Sequence, residues 1–303
     1  LSKIIMFVGL PASGKSTIAK EISKKENAVI HSSDDLRKKI FDNINDEDHN
    51  DELFKELHRR IKKDLIEGKN VIYDATNISY KRRKGFLEEL KKINCYKDCY
   101  LVATPYEICL KRNQERERKV PDYVIKKMYK SFYIPQYYEG WDKINIVWNN
   151  DDVKYNLHEL FNGENGLNYI DQDNPHHTLT IGKHCLKCSL LCEKTDNDVL
   201  IAEAALLHDI GKQFTKSFKN CKGEITKVAH YYQHHLVSAY MSLFYLEEGW
   251  FDDDILKITN YIQWHMQPFF IKTEKALNKF INLVGIDFYN KLLILHEADK
   301  NAK

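Results

Sequence analysis

Short apolar runs recur along the first half of the chain: Ile4-Ile5-Met6-Phe7-Val8, Ala28-Val29-Ile30, Asn70-Val71-Ile72-Tyr73, Cys99-Tyr100-Leu101-Val102-Ala103 and Ile144-Asn145-Ile146-Val147-Trp148. Runs of this length and continuity read as strands buried on both faces. Between them the spacing predicts helices over about 17–25, 52–66 and up to 92, with Gly68 ending the second and another beginning near Pro105. This β-α-β-α alternation with short links predicts a parallel sheet covered by helices on both faces. Past residue 148 the pattern changes. Asn149-Asn150-Asp151-Asp152, a short helix and Asn162-Gly163-Glu164-Asn165-Gly166 read as a linker near residues 150–168. The rest of the chain reads as helices, for example 199–207 stopped by Gly211. The expected organisation is an α/β domain over 1–150 and an all-α domain over 168–303.

Polar clusters follow the strands, at the end of a parallel sheet where ligands bind. After the first comes Gly9-Leu10-Pro11-Ala12-Ser13-Gly14-Lys15-Ser16-Thr17, a complete G-x-x-x-x-G-K-[ST] between strand and helix. Backbone N–H groups of such a loop converge on a point that suits phosphate. Lys15 then reaches the β and γ phosphates, and the Ser16 hydroxyl completes a magnesium shell. ATP and Mg are the expected ligands. After the second strand, one of Asp34 and Asp35 is expected to accept the proton of an attacking hydroxyl and the other to cap the next helix. Arg37, one turn on, can hold a second phosphate. After the third strand come Asp74-Ala75-Thr76-Asn77 and the basic run Lys81-Arg82-Arg83-Lys84.

Composition narrows the class. With 303 residues, 43% hydrophobic and 30% charged, the chain can bury two ordinary cores. No apolar run approaches a membrane span and no signal peptide is visible. Seven cysteines, an odd number, point to reduced thiols and a cytoplasmic location. A formal net charge of +2 gives no whole-molecule argument for nucleic acid. Positive charge gathers locally at 81–84 and again from Lys111-Arg112 through Arg116, Arg118 and Lys119, where Glu115 and Glu117 interrupt it as on a solvated helix face.

Leu110-Lys111-Arg112-Asn113-Gln114-Glu115-Arg116, then Lys119-Val120-Pro121 and Met128-Tyr129-Lys130-Ser131, resemble the lid and following helix of the kinase half of phage-type polynucleotide 5′-kinase-phosphatases. That family also carries G-x-P-x-S-G-K-S-T, an Asp-Asp-x-Arg after its second strand and an Asp-(x)-Thr-Asn with a nearby Arg-Arg after its third. The resemblance implies that Asp34 is the general base on a 5′-hydroxyl and that Arg37 holds the phosphate on its 3′ side. It implies that Arg116, with Arg112, neutralises the transferring phosphoryl group, and that Asp74, Thr76, Asn77 and Arg82 bind the acceptor. The alanine at position 75 is also found in small-molecule kinases and zeta-type toxin kinases, so the acceptor stays open.

Histidines crowd the second half, which holds most of the chain's 13. His208-Asp209, at the end of an apolar helix, can bite one cation. Asn174-Pro175-His176-His177 with Thr180-Ile181-Gly182-Lys183-His184, Leu207-His208-Asp209-Ile210-Gly211-Lys212 and Glu297-Ala298-Asp299 together resemble the HD phosphohydrolase superfamily. The resemblance implies a metal set of His184, His208, Asp209 and Asp299. His234 and His265 are candidates for a second metal, and Lys212 for the substrate phosphate. Mixed histidine and carboxylate ligands suit Mn, Fe, Ni or Co, with Mg less natural. Cys185, Cys188 and Cys192 stand at helical spacing and are expected in the core rather than on zinc. Tyr231, Tyr232, Trp250, Trp264, Phe269 and Phe270 are likewise expected to be core rather than base-stacking residues.

The two resemblances together imply a bifunctional end-healing enzyme. It joins an ATP-dependent 5′-hydroxyl kinase to a metal-dependent hydrolase of 3′-phosphate, 2′-phosphate or 2′,3′-cyclic phosphate ends. Its substrate is nucleic acid, RNA first, and a ligase is the implied downstream partner. Two alternatives stay open at this point: a kinase of nucleosides or sugar nucleotides fused to an HD nucleotidase, and a nucleotide-sensing RNA-binding module.

Overall fold

The computed structural model describes residues 1–43, 48–175 and 177–303. His176 of the Asn-Pro-His-His stretch therefore lies outside the described residues, as do residues 44–47. The chain divides into two compact units, one of residues 1–128 and 135–152 and the other of residues 129–134 and 153–303.

In the first unit a parallel five-stranded sheet has the order β2-β3-β1-β4-β5. Its strands are β1 (Ser2–Val8), β2 (Ala28–Ser32), β3 (Asn70–Asp74), β4 (Cys95–Ala103) and β5 (Lys143–Trp148). The connecting helices are α1 (Lys15–Glu26), α2 (Ser33–Phe41), α3 (Asn50–Ile66), α4 (Tyr80–Glu89), α5 (Tyr106–Glu115) and α6 (Asp122–Lys130). Central β1 is covered on both faces, and Ile4 through Val8 are fully buried. That is why these strands read as unbroken apolar runs rather than as alternating ones. Helix α3 buries Leu53, Leu57, Ile61 and Leu65, one residue per turn, and leaves its charged face to solvent.

Among the described residues the second unit is helical except for one hairpin, β6 (Ser217–Lys219) with β7 (Ile225–His230). Its helices are α7 (Leu157–Asn162), α8 (Ile181–Thr195), α9 (Val199–Leu207), α10 (Lys212–Thr215), α11 (His234–Leu246), α12 (Asp252–Trp264), α13 (Gln267–Phe270), α14 (Glu274–Val284) and α15 (Ile286–Asn301). Helix α9 packs against α8, α12 and α15, so it is apolar almost all round. Cys185, Cys188 and Cys192 lie on the buried face of α8, as small core residues do. Gly211 acts differently from expectation. Helix α9 already ends at Leu207, and Gly211 keeps a right-handed φ of −73°. A Cβ there would come within 2.6 Å of Ser238 N and 2.7 Å of His234 O, so this glycine permits close packing on α11 instead of stopping a helix. No helix among the described residues is long and apolar enough to cross a membrane.

Candidate active sites

At the end of β1 the chain must turn sharply to start α1. Gly14 takes φ +88°, and a Cβ on it would fall 2.4 Å from Asn149 Nδ2, so glycine is demanded twice over. Asn149, just past β5, donates from Nδ2 to Ser13 O at 2.7 Å, and Thr104 Oγ1 donates to the same carbonyl at 3.0 Å. Asn149 Oδ1 in turn accepts from Arg112 Nη2 at 3.0 Å. Lys15 is buried, its Nζ donating to Leu10 O at 2.6 Å and Ser13 Oγ at 3.3 Å. Burial pushes its ammonium pKa down, against the pull of the Asp74 carboxylate. Ser16 Oγ donates to Asp74 Oδ2 at 2.7 Å. Burial raises Asp74, while the Ser16 hydrogen bond and the charge of Lys15 oppose the rise. A hydroxyl beside a carboxylate under the phosphate loop is an oxygen donor set that fits magnesium. Asp74 thus lies against Ser16, a place that its grouping with acceptor residues did not anticipate.

Ser13, Gly14, Lys15, Ser16, Thr17, Asp34, Arg37, Asp74, Thr76, Arg82, Arg112 and Arg116 line one cleft of about 450 Å³. Asp34 and Asp35 part company. Asp34 lines the cleft and pairs with Arg118, whereas Asp35 borders a separate hollow with His31 and Lys39. Neither aspartate caps α2. The cap is Ser32, still extended at φ −94°, whose Oγ accepts from Asp35 N at 3.2 Å. Both aspartates already sit in the first turn, where their charge meets the positive end of the helix dipole. Arg116 donates from Nε to Asn113 Oδ1 at 3.0 Å, and its buried Nη2 has no hydrogen-bond partner among the described residues. A buried orphan donor on a cleft wall fits an anion.

One expected acceptor residue, Asn77, and one expected nucleotide-binding residue, Gly9, stand outside the cleft. Asn77, at φ +47°, donates from Nδ2 to Phe7 O at 2.9 Å and braces the β1 end instead of lining the cleft. Gly9 lies beneath the loop, its N donating to Thr76 O at 3.0 Å. The basic run also divides. Arg82 faces the cleft, while Arg83 is buried against Glu139, at 2.7 Å from Nε and 2.6 Å from Nη2, and donates from Nη1 to Asn77 O at 2.8 Å. Asn149 and Arg118 escaped the sequence analysis as site residues. Arg118 belongs to the lid run, and Asn149 follows a strand end, but nothing in either neighbourhood marks a partner.

In the second unit four imidazoles share one device. The Nδ1 of His184 lies 3.0 Å from Ala302 O, that of His208 2.7 Å from Ala205 O, that of His234 2.7 Å from Tyr231 O, and that of His265 2.7 Å from Ile262 O. A proton on each Nδ1 satisfies its carbonyl and turns the Nε2 lone pair inward. These nitrogens meet in pairs, His184 to His208 at 3.3 Å and His234 to His265 at 3.1 Å. Lone pairs that face each other at this distance repel unless a cation or proton lies between them, so the donor set fits metal. Asp209 serves both pairs. Its Oδ2 is 3.4 Å from His184 Nε2 and 3.2 Å from His208 Nε2, and its Oδ1 is 3.2 Å from His234 Nε2 and 3.9 Å from His265 Nε2. Asp299 joins the first pair, its Oδ1 3.1 Å from His184 Nε2. The potential ligand groups are therefore His184, His208 and Asp209, and Asp209, His234 and His265.

Burial would raise the Asp209 carboxyl, but His208 and Lys212 hold it well below the usual carboxylate range. Burial likewise opposes a charge on His184, and hydrogen bonds to Asp209 and Asp299 overcome it, lifting that imidazole to about 9. Lys212 is buried, with Nζ 2.6 Å from Asp209 Oδ2 and 2.7 Å from Gln172 Oε1. It still lines a cavity of about 510 Å³ together with Asp209, His234, His265 and Asp299. His177 lines the same cavity, its ring edge-on to His184 at 5.4 Å between centroids. Of the aromatic candidates Trp264 is core, whereas Tyr232 and Phe270 are exposed on the cavity. The three cysteines of α8 enter neither ligand group.

Comparison with known proteins matches residues 4–135 to the AAA domain family and residues 181–300 to the HD domain family. The L-seryl-tRNA(Sec) kinase of Methanococcus maripaludis is 29% identical over 239 residues, covering 73% of this chain and 92% of that protein. Protein kti12 of Schizosaccharomyces pombe is 27% identical over 175 residues, covering 52% of this chain and 61% of that protein. Among solved structures, the Pnkp1/Rnl/Hen1 RNA repair complex matches at 26% identity over 42% of this chain and 42% of that one, with a TM-score of 0.36. The chain thus carries a P-loop kinase domain of the AAA type in its N-terminal part and an HD domain in its C-terminal part.

Proposed function

We propose that this protein heals nucleic-acid ends, RNA first: it phosphorylates a 5′-hydroxyl from ATP and hydrolyses a 3′-phosphate, 2′-phosphate or 2′,3′-cyclic phosphate. The observation that carries the kinase half is the shared cleft, in which Asp34 and Arg37 at the end of β2 face the same space as Lys15 and the Ser16–Asp74 pair. Asp34 takes the proton of the attacking hydroxyl, Arg37 fixes a neighbouring phosphate, and Arg116 offers its unpaired Nη2 to the charge that develops on the transferring group. Such an acceptor must carry both a hydroxyl and a second anion, as the 5′ end of a strand does. In the other half, His184, His208, Asp209 and Asp299, with His234 and His265, hold one or two divalent ions of the Mn, Fe, Ni, Co or Mg kind. Bound there, an ion supplies Lewis acidity toward a phosphoryl oxygen and toward water. Lys212 orients Asp209 and lends positive charge to the cavity wall.

The test is a 5′-hydroxyl, 2′,3′-cyclic phosphate RNA incubated with γ-labelled ATP and manganese. Label is expected at the 5′ end; at the 3′ end one hydrolysis opens the ring to a 2′- or 3′-monophosphate, and a second releases inorganic phosphate and leaves a free hydroxyl. Absence of label with wild type, judged against Lys15→Ala, sinks the kinase half.

A second acceptor has its own support. The similarity to an L-seryl-tRNA(Sec) kinase runs beyond the length of the first unit and spans nearly all of that relative. On this reading the hydroxyl is that of a serine esterified to tRNA, and the second anion is a tRNA phosphate. Offering seryl-tRNA and the 5′-hydroxyl oligonucleotide in competition decides between the two, since label goes to one of them.

A further inference from the structure

We propose that the cavity of the second unit contains a nucleobase subsite, with Tyr232 and Phe270 as its stacking faces, so that the HD centre takes a nucleoside-bearing phosphate in preference to a bare one. The inference rests on the phosphohydrolase reading and adds the class of group attached to the phosphate. Four observations carry it. First, the cavity that reaches Asp209, His234, His265 and Asp299 is walled beyond them by Tyr232, Met266, Phe269 and Phe270, on the β7–α11 connection and at and beside α13. A site for phosphate alone needs charge and donors, and an apolar wall beside it answers an apolar part of the substrate. Second, Tyr232 and Phe270 keep 43% and 65% of their surface exposed although they are large and apolar, so neither ring is used up in the core. Third, Tyr232 is held in place. Its ring lies parallel to that of His230, 5.5 Å between centroids and 6° between planes, as a stacking platform should be. Fourth, His230, also on the cavity wall, has a buried Nε2 with no hydrogen-bond partner among the described residues. An unsatisfied buried nitrogen beside the cavity is a polar group left for a ligand to answer.

At about 510 Å³ the cavity has room for one nucleotide. Every base has a flat face, so stacking accepts any base and reads no sequence. Lys300, on the rim and 2.9 Å from Glu297, supplies a cation where a further phosphate would pass. The ligand chemistry is therefore a nucleoside phosphate, either at the 3′ end of a strand or as a free nucleotide.

The measurement is equilibrium dialysis of the full-length, metal-free protein against labelled adenosine 3′-monophosphate, in a Lys15→Ala background so that the phosphate loop contributes little. Saturable binding is expected, competed by adenosine and not by glycerol 2-phosphate. Tyr232→Ala/Phe270→Ala should weaken it by roughly 5- to 150-fold, the range that stacking of a base on an aromatic ring is worth. Tyr232→Phe should keep it. No saturable binding, a loss of less than about fivefold in the double variant, or an equal loss in Tyr232→Phe overturns the subsite. Because both rings are exposed, their removal leaves the core intact. A 3′-phosphorylated oligoribonucleotide that competes as well as the mononucleotide assigns the subsite to strand ends, and failure to compete assigns it to free nucleotides. Manganese-dependent hydrolysis of adenosine 3′-monophosphate is scored separately: binding without hydrolysis overturns the phosphohydrolase reading and leaves the base subsite standing.

Discussion

Two neighbouring carboxylates, Asp34 and Asp35, differ by one position and end in different surroundings. Asp34→Asn is expected to lower the kinase turnover by about 10²- to 10⁴-fold, the usual worth of a positioned general base, and Asp35→Asn to leave it within about twofold. Label transfer to the preferred acceptor under saturating ATP checks both. The spacing alone left the pair open, and it was the family resemblance that pointed to Asp34. The choice depends on which side of the first helical turn faces the cleft, and the Ser32 cap sets that. The arginines pose the same problem in a harder form. Arg82 and Arg83 are equally basic in the sequence, yet one lines the cleft and the other is enclosed with Glu139, 56 positions away. Glu139→Gln should strand that guanidinium in the core and cost about 3–5 kcal/mol. For a unit of this size that is a fall in Tm of roughly 6–20 °C. Replacing both partners by apolar residues, Arg83→Met/Glu139→Leu, should recover most of it in the same thermal scan.

At the scale of elements, strands and helices were legible because β1, β3 and β4 are buried on both faces and α3 repeats its leucines once per turn. The phosphate loop was legible because its chemistry is local. The β6–β7 hairpin was not, since Ser217–Lys219 is too short to carry a period and its partner mixes lysine, threonine and histidine among its apolar residues. Asn149 was hidden for another reason: its side chain works on a carbonyl 136 positions earlier, and no local pattern records that. The latch from β5 to the phosphate loop has a measurable weight. Asn149→Ala removes the hydrogen bond to Ser13 O and the partner of Arg112, and should weaken ATP binding by about 5- to 10-fold, equivalent to about 1–1.4 kcal/mol. Nucleotide titration of the purified variant tests this. The histidine clusters lie between these extremes. Their order along the chain was readable, but the sharing of Asp209 by both pairs emerges only when α8, α9, α11 and α12 are packed.

For the whole molecule, two metal-dependent chemistries on separate units should be separable. Manganese, added to metal-stripped protein at 100 times its dissociation constant, should stabilise the second unit by about 2.7 kcal/mol. The shift should vanish in Asp209→Asn, which touches both clusters, and only shrink in His265→Ala, which touches one. Differential scanning of the two variants distinguishes a shared carboxylate from two independent sites. The latch on the phosphate loop also bears on how the molecule is made. Residues 9–17 leave the ribosome well before the asparagine that secures them, which is among the last of the first unit to emerge, and Asp151, which pairs with Arg112, comes after it. A nascent chain that stops short of residue 149 has a phosphate loop with one of its supports missing. ATP, abundant in any cell, therefore lends its full binding energy to the first unit only once that unit is complete. The nucleotide then acts as a late check on finished synthesis rather than as a seed for folding.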